Sequence, residues 1–345
     1  MKVRIMFTTV LSALVFSALA AAQTTERPTP SQDLVDLLPA SSAVVSIDVQ
    51  KGLNDALPKL LVGNPQLKAA VDQGLAEFST KAGADALKFS DVVVGVGVED
   101  VKGAAPKILP VFIGRGDVNA AQVVAKATEA SKTPCIERVI SGKTIYVCQM
   151  EISVEKPSKS AGATTSTKVL KETAFVALDA NTVAFGAVSR VLDAVEHRSV
   201  VNPAIKGLLK DSPTTVAAFA MENVNGLEKL VPLENDDVGN ALKNLRYMAG
   251  SADSVADGFV FNGLFRSSDA ASSKQLGSLL SGLQAIGKAF LGNSNRADQR
   301  MFARLINSVK ITQAETDVSL SIAIPQADVN TLMAGVKIPA KQAGN

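Results

Sequence analysis

Two cysteines bracket a short, nearly symmetric stretch: Cys135-Ile136-Glu137-Arg138-Val139-Ile140, then Ser141-Gly142, then Lys143-Thr144-Ile145-Tyr146-Val147-Cys148. Both arms are rich in β-branched residues, and the two residues between them suit the tight turn of a β-hairpin. With Ser141 and Gly142 as the loop, Ile140 stands opposite Lys143 and, five steps out, Cys135 stands opposite Cys148. Pair types alternate from the turn, so the cysteine pair is non-hydrogen-bonded, the kind whose Cα atoms approach closely enough for a disulfide. Closing so short a loop contributes about 3 kcal/mol in the chain-entropy model. A redox-active dithiol would instead need Cys-x-x-Cys at a helix N-terminus. Cys135 and Cys148 are therefore expected as a structural staple, which commits this region to antiparallel sheet and the protein to an oxidising compartment.

The amino terminus supplies the route to that compartment. Lys2 and Arg4 precede an apolar run from Ile5 to Leu19, the charged and hydrophobic regions of a cleavable secretory signal. About 15 apolar residues fall short of the roughly 20 that a spanning helix needs. Small residues allow cleavage after Ala18-Leu19-Ala20 or after Ala20-Ala21-Ala22; the second is favoured, cutting after Ala22 and leaving Gln23 first. With no Cys near that point there is no atom for an acyl anchor. Beyond the signal no uninterrupted apolar run reaches spanning length, so no membrane span is expected after cleavage. The result is an exported protein, periplasmic or extracellular.

Residues 23–32 carry Pro and Thr without apolar periodicity and read as a flexible leader, and 339–345 as a flexible tail. Between them, Asp33–Leu38 has helical spacing, and β-branched content marks a strand over Ala43–Val49. Leu53–Ala82 reads as two helices broken near Gly63-Asn64-Pro65. Strands over Asp91–Val98 and Lys107–Ile113, a helix over Val118–Ala130 and the cysteine hairpin follow. Small and polar residues over 154–167 predict a mobile flap. A second hairpin turns at Asp179-Ala180-Asn181, and a helix over Val188–His197 ends a first half, 33–200. The second half, 201–338, echoes it: Val44, Ile47 and Val49 align with Val216, Phe219 and Met221, an offset of 172 residues. A helix over Val238–Ala249, a strand over Gly258–Phe265, a long helix over Asp269–Leu291, a hairpin of Ser308–Gln313 with Asp317–Ile324 and a closing helix complete it. The expectation is an α+β protein of two similar halves, each an antiparallel sheet with helices packed on one face.

Composition excludes several functions. Charge is +2, with 35 basic and 33 acidic residues and the basic ones dispersed, so there is no electrostatic footprint for nucleic acid. Aromatic residues are 4%, with no Trp and two Tyr, which leaves little material for stacking on sugars or bases. His197 is the only histidine, which rules out sites with two His ligands and, beside Arg198, suits a helix C-terminus. Gly95-Val96-Gly97 lies inside a strand without the third glycine and helix of a dinucleotide fingerprint, and reads as a strand crowded by neighbouring backbone. Gly142-Lys143-Thr144 lacks the upstream glycine of a phosphate loop. Arg115-Gly116-Asp117 spells an adhesion tripeptide, yet Asp117 has a simpler role as N-cap of the following helix. Glu234-Asn235-Asp236-Asp237 lacks the ligand spacing of a calcium loop and reads as helix capping. No catalytic, cofactor or metal constellation is recognised. The helix Asp269–Leu291 carries Leu276, Leu279, Leu280, Leu283, Ile286 and Phe290 on one stripe, with Gly277, Gly282 and Gly287 permitting close approach to a sheet or an apolar ligand.

The stretch Leu38-Pro39-Ala40 to Val49-Gln50, followed by Leu53–Leu60, resembles uncharacterised exported bacterial proteins that join a signal peptide to two similar α+β halves. The resemblance implies a cell-envelope or extracellular location and no active residues. A non-enzymatic binding or envelope-structural protein is expected, with a protein or apolar-ligand partner; the alternatives are a carrier of a lipid-like ligand in a groove between sheet and helix, and a hydrolase of unrecognised type.

Overall fold

The computed structural model describes residues 32–99, 106–157, 164–209, 212–223, 243–291 and 297–336. The signal segment with Ala22 and Gln23, the leader up to residue 31, the acidic run Glu234–Asp237 and the tail 339–345 lie outside the described residues.

Twelve strands form one antiparallel sheet: β1 (Ala43–Asp48), β2 (Phe89–Glu99), β3 (Lys107–Gly116), β4 (Ile136–Ile140), β5 (Lys143–Pro157), β6 (Thr164–Ala177), β7 (Thr182–Gly186), β8 (Thr215–Glu222), β9 (Leu245–Val255), β10 (Gly258–Ser267), β11 (Lys310–Ala314) and β12 (Asp317–Pro325). Their order across the sheet is β11-β12-β10-β9-β8-β1-β2-β3-β7-β6-β5-β4. The two expected sheets are thus one, joined where β1 pairs with β8. Outward from that border, β1-β2-β3-β7-β6 and β8-β9-β10-β12-β11 follow the same plan, and the hairpin β4–β5 is an addition to the first half. Ser46 pairs with Ala218, its own equivalent at the 172-residue offset, so a local two-fold passes between them.

Side-chain alternation along the strands fills two layers. On one face Val44, Val93, Val111, Ile113, Ile145 and Val176 pack with Leu34 of α1 (Gln32–Val35), Leu38, Val191 and Val195 of α5 (Val188–Glu196), and Ile205 of α6 (Pro203–Leu208). This core also takes in Val201, Ala220 and Ala249, and so crosses the 200/201 boundary. On the other face Ile47, Val92, Val94 and Phe112 pack with Leu53, Ala120 and Val124. Leu53 belongs to a helical run α2, made of Val49–Lys51, the π-helical Gly52–Ala56 and Leu57–Leu61; the neighbouring helices are α3 (Pro65–Ala82) and α4 (Ala120–Glu129). The first half therefore carries helices on both faces, not one, because alternate residues on β1–β3 are apolar in both directions. The break between α2 and α3 falls at Asn64, whose Oδ1 accepts from the Leu67 N–H while Pro65 starts the helix. In the second half α7 (Ala270–Leu291) lies over Leu245 and Val318 through Leu276. Beside it run α8 (Ala297–Ser308) and α9 (Gln326–Ala334), whose Val329 meets Phe259 and Ala56.

Three local expectations change. Pairing of β5 with β6 continues to Pro157↔Thr164, so most of the 154–167 flap is ladder, where strand hydrogen bonds outweigh a composition lacking apolar periodicity. The helix expected over Val238–Ala249 is overturned from Leu245 onward, where β9 pairs on both sides. Asp117 does not cap α4. Asn119 holds that position, its Oδ1 accepting from the Gln122 N–H at 3.1 Å, because β3 extends to Gly116 and the Asp117 N–H is taken by the Lys88 carbonyl.

Candidate functional site

The cysteine hairpin has the register read from its residues, Ile140↔Lys143 through Ile136↔Val147, around a turn in which Ser141 and Gly142 both have positive φ (51° and 74°). The Cys135 and Cys148 sulfurs are bonded at 2.06 Å with Cα atoms 4.4 Å apart, the spacing of a non-hydrogen-bonded pair. Lys143 does not face a phosphate-type loop; its Nζ donates to the Leu178 carbonyl. His197 is exposed and left-handed (φ 50°) as the C-cap of α5, its N–H bonded to the Asp193 carbonyl. No catalytic partner is brought to it by the interactions of the described residues.

Gly95 and Gly97 are crowded by side chains rather than by backbone. A Cβ on Gly95 would stand 2.5 Å from Ser41 Oγ, and one on Gly97 3.0 Å from Arg190 Nε. The guanidinium of Arg190 is buried there, donating to the carbonyls of Pro39 and Ala40 and to Ser41 Oγ at 2.9 Å, while its Nε–H has no partner. Burial lowers its pKa, and Asp193 opposes that. The bare strand thus makes room for a cation that ties the chain before β1 onto α5.

Residue patterns did not disclose a polar hub on β8–β10. Asp253 is 3% exposed and accepts from Thr215 Oγ1 (2.6 Å), Ser212 Oγ (3.3 Å), Ser251 Oγ (3.1 Å) and Asn262 Nδ2 (2.7 Å). Asn262 Oδ1 accepts in turn from Ser321 Oγ, carrying the network to β12. The signal for it is period-two polarity, Ser251 and Asp253, opposite Asn262. Nearby, Lys51 bridges Asp48 and the Ser212 and Thr215 carbonyls, so the hub is braced from α2.

Two surface features remain. A cleft of about 740 Å³ opens beside the start of α4, lined by Asp85, Lys88, Asp117, Asn119, Gln122 and Asp179 among others. Burial works against ionisation of Asp179, but hydrogen bonds from Asn181 and Thr182 and the charge of Arg115 outweigh it and hold its carboxyl below the usual range. Arg115-Gly116-Asp117 borders this cleft, with Arg115 Nε turned inward to Thr182 Oγ1 at 3.2 Å. The second feature is apolar. On the face of the second half that carries α7, Phe219 and Phe261 are 42% and 40% exposed. Phe219 lies in the cross-strand row Phe219↔Gly250↔Gly263↔Leu320 and Phe261 in the next row on that face, Ala217↔Ala252↔Phe261↔Ile322, and the Phe219 ring occupies the space a Gly250 Cβ would need. Of the α7 glycines, Gly277 lies against Gln313 and Val318, Gly287 against Ile306 of α8, and Gly282 faces open space. Among the described residues no group of three or more His, Cys, Asp and Glu is placed to hold a metal, and no helix is long and apolar enough to cross a membrane.

These features define an α+β protein on one wide antiparallel sheet with a disulfide-stapled border. No protein-family model and no curated protein matches the chain. It is similar to crystal structures of TP0453, a treponemal protein. Form III aligns at TM-score 0.44 and 10% identity, over 91% of this chain and 100% of that one. Form IV gives 0.43 and 11% over 88% and 98%, and form I gives 0.40 and 10% over 88% and 97%.

Proposed function

We propose that this chain is an exported, non-enzymatic binding protein of the envelope or extracellular space that seats an apolar surface of a protein partner on the second half of its sheet. The observation that carries the reading is the exposed pair Phe219 and Phe261 on a sheet face whose first-half counterpart is covered by α2, α3 and α4. Exposed aromatic surface favours association, since covering it removes apolar area from water. An open strip suits a broad protein surface better than a lipid, which needs enclosing walls. The disulfide supports an oxidising location. A photo-crosslinking residue at position 261, in cells exporting the protein, should give a discrete adduct that the same residue at the exposed Val62 does not. Equal labelling at both positions, or none at 261, would overturn the proposal.

A further inference from the structure

The border strand β4 is almost wholly exposed, Ile136 at 58% and Val139 at 73%, and among the described residues pairs only with β5. Alternation from the turn directs the backbone groups of Arg138 and Ile140 to β5 and leaves those of Glu137 and Val139 facing outward. Antiparallel pairing with another β4 must match outward residues with outward residues. The fully overlapped register then sets Arg138 against Arg138 of a second copy; of the two registers one pair away, one sets Glu137 against Glu137 and the other, shifted toward the turn, sets Val139 against Val139. Like charges directly opposite are destabilising, so the first two registers are disfavoured, and the third engages only Arg138–Ile140 of each strand.

The strand beneath has no such protection. Thr144-Ile145-Tyr146-Val147-Cys148 is uncharged and β-prone. Its cover runs over residues 132–140: the Lys132 N–H donates to the Gln149 carbonyl, the disulfide joins Cys135 to Cys148, and Ile136–Ile140 supplies the ladder. With that cover gone, antiparallel pairing of two β5 strands centred on Val147 sets Lys143 opposite Glu151 of the second copy, at both ends of the contact. We propose that the Cys135–Cys148 bridge is a redox-sensitive latch on this cover, and that opening it exposes β5 as a self-complementary edge through which two copies of the chain pair. The opening step consumes a dithiol reductant. Its thiolate attacks Sγ of Cys135, the S–S bond breaks, and Cys148 Sγ leaves and takes up a proton. The second reductant thiol then displaces Cys135 as a thiol and ends as the cyclic disulfide.

The test compares oxidised protein, protein reduced under native conditions with dithiothreitol, and Cys135→Ser/Cys148→Ser, by light scattering on a sizing column and by hydrogen exchange. The expected result is a doubling of mass on reduction and in the double variant. Monomeric reduced protein should show faster exchange at 136–140, with β1–β3 unchanged. In the reduced state Lys143→Glu or Glu151→Lys alone should weaken the dimer and the two together restore it, an outcome that general unfolding does not give. A reduced protein that stays monomeric with 136–140 still protected, or a dimer indifferent to the charge swap, overturns the proposal.

Discussion

Asp253→Ala tests whether the buried hub holds the second half together. The carboxylate has short partners in Thr215 Oγ1 at 2.6 Å and Asn262 Nδ2 at 2.7 Å, and longer ones in Ser251, Ser212 and, at 3.5 Å, Thr214. A hydrogen bond to a charged group contributes about 1.5–3 kcal/mol, and a donor left buried without a partner costs a comparable amount. Not every donor is stranded by the change. Ser212 and Thr215 hydroxyls already stand 2.7 Å apart and can satisfy each other, and Asn262 Nδ2 keeps Ser251 Oγ at 3.2 Å. The two short bonds therefore dominate, and the loss is expected at about 3–5 kcal/mol. Asp253→Asn keeps the shape and one acceptor oxygen. Its amide nitrogen can turn toward the Thr215 and Ser212 hydroxyls, which can accept, so about 1–2 kcal/mol is expected. Urea unfolding followed by circular dichroism reads both as shifts in midpoint at constant slope. A loss below about 1 kcal/mol for the alanine variant, or equal losses for both, would refute the reasoning.

Gly97→Val should push the Arg190 guanidinium off β2, cost about 2–3 kcal/mol and raise hydrogen exchange over residues 34–41; unchanged protection there would show that the cation does not hold this segment. Arg266 binds Asp317 in two-pronged fashion at 2.8 and 2.7 Å, and that hydrogen bond holds the Asp317 carboxyl below its usual pKa even though burial opposes it. Because the folded-state value is the lower one, the stabilisation is present above the unfolded pKa of about 4 and lost as pH falls through the folded one. Asp317→Asn should thus destabilise at pH 7 by up to about 1 kcal/mol, with the difference from wild type vanishing under strongly acidic conditions; a difference unaffected by pH counts against the pair. Exported material should begin at Gln23 in intact-mass measurement, and a chain retaining Met1 would remove the basis for placing the protein outside the cytosol.

Where one physical requirement dominated, the sequence was readable. The hairpin at Ser141-Gly142 offered turn chemistry, strand propensity and a disulfide that all demand the same register, and Asn64-Pro65 placed a helix start within a residue. β1 and β2 were visible because their apolar content is dense on both faces. Legibility failed where burial and polarity diverge. In β9 the residues Ser251 and Asp253 face inward and are buried, so the expected alternation of apolar and polar residues is inverted and a helix was expected across its start. The ends of β5 and β6 carry Ser, Thr and Lys in a segment whose ladder bonds leave no trace in composition. Arg190 was unreadable for another reason: its partners are carbonyls about 150 residues away, which no local pattern encodes.

The antiparallel border centred on Ser46 and Ala218 also bears on ancestry. A polypeptide of half the length, carrying only the five strands common to both parts, would rebuild that seam by laying its first strand beside the same strand of a sibling molecule. Tandem fusion would make such a meeting permanent and leave each part free to differ, a freedom that the stapled ribbon carried, among the described residues, by one flank alone would use.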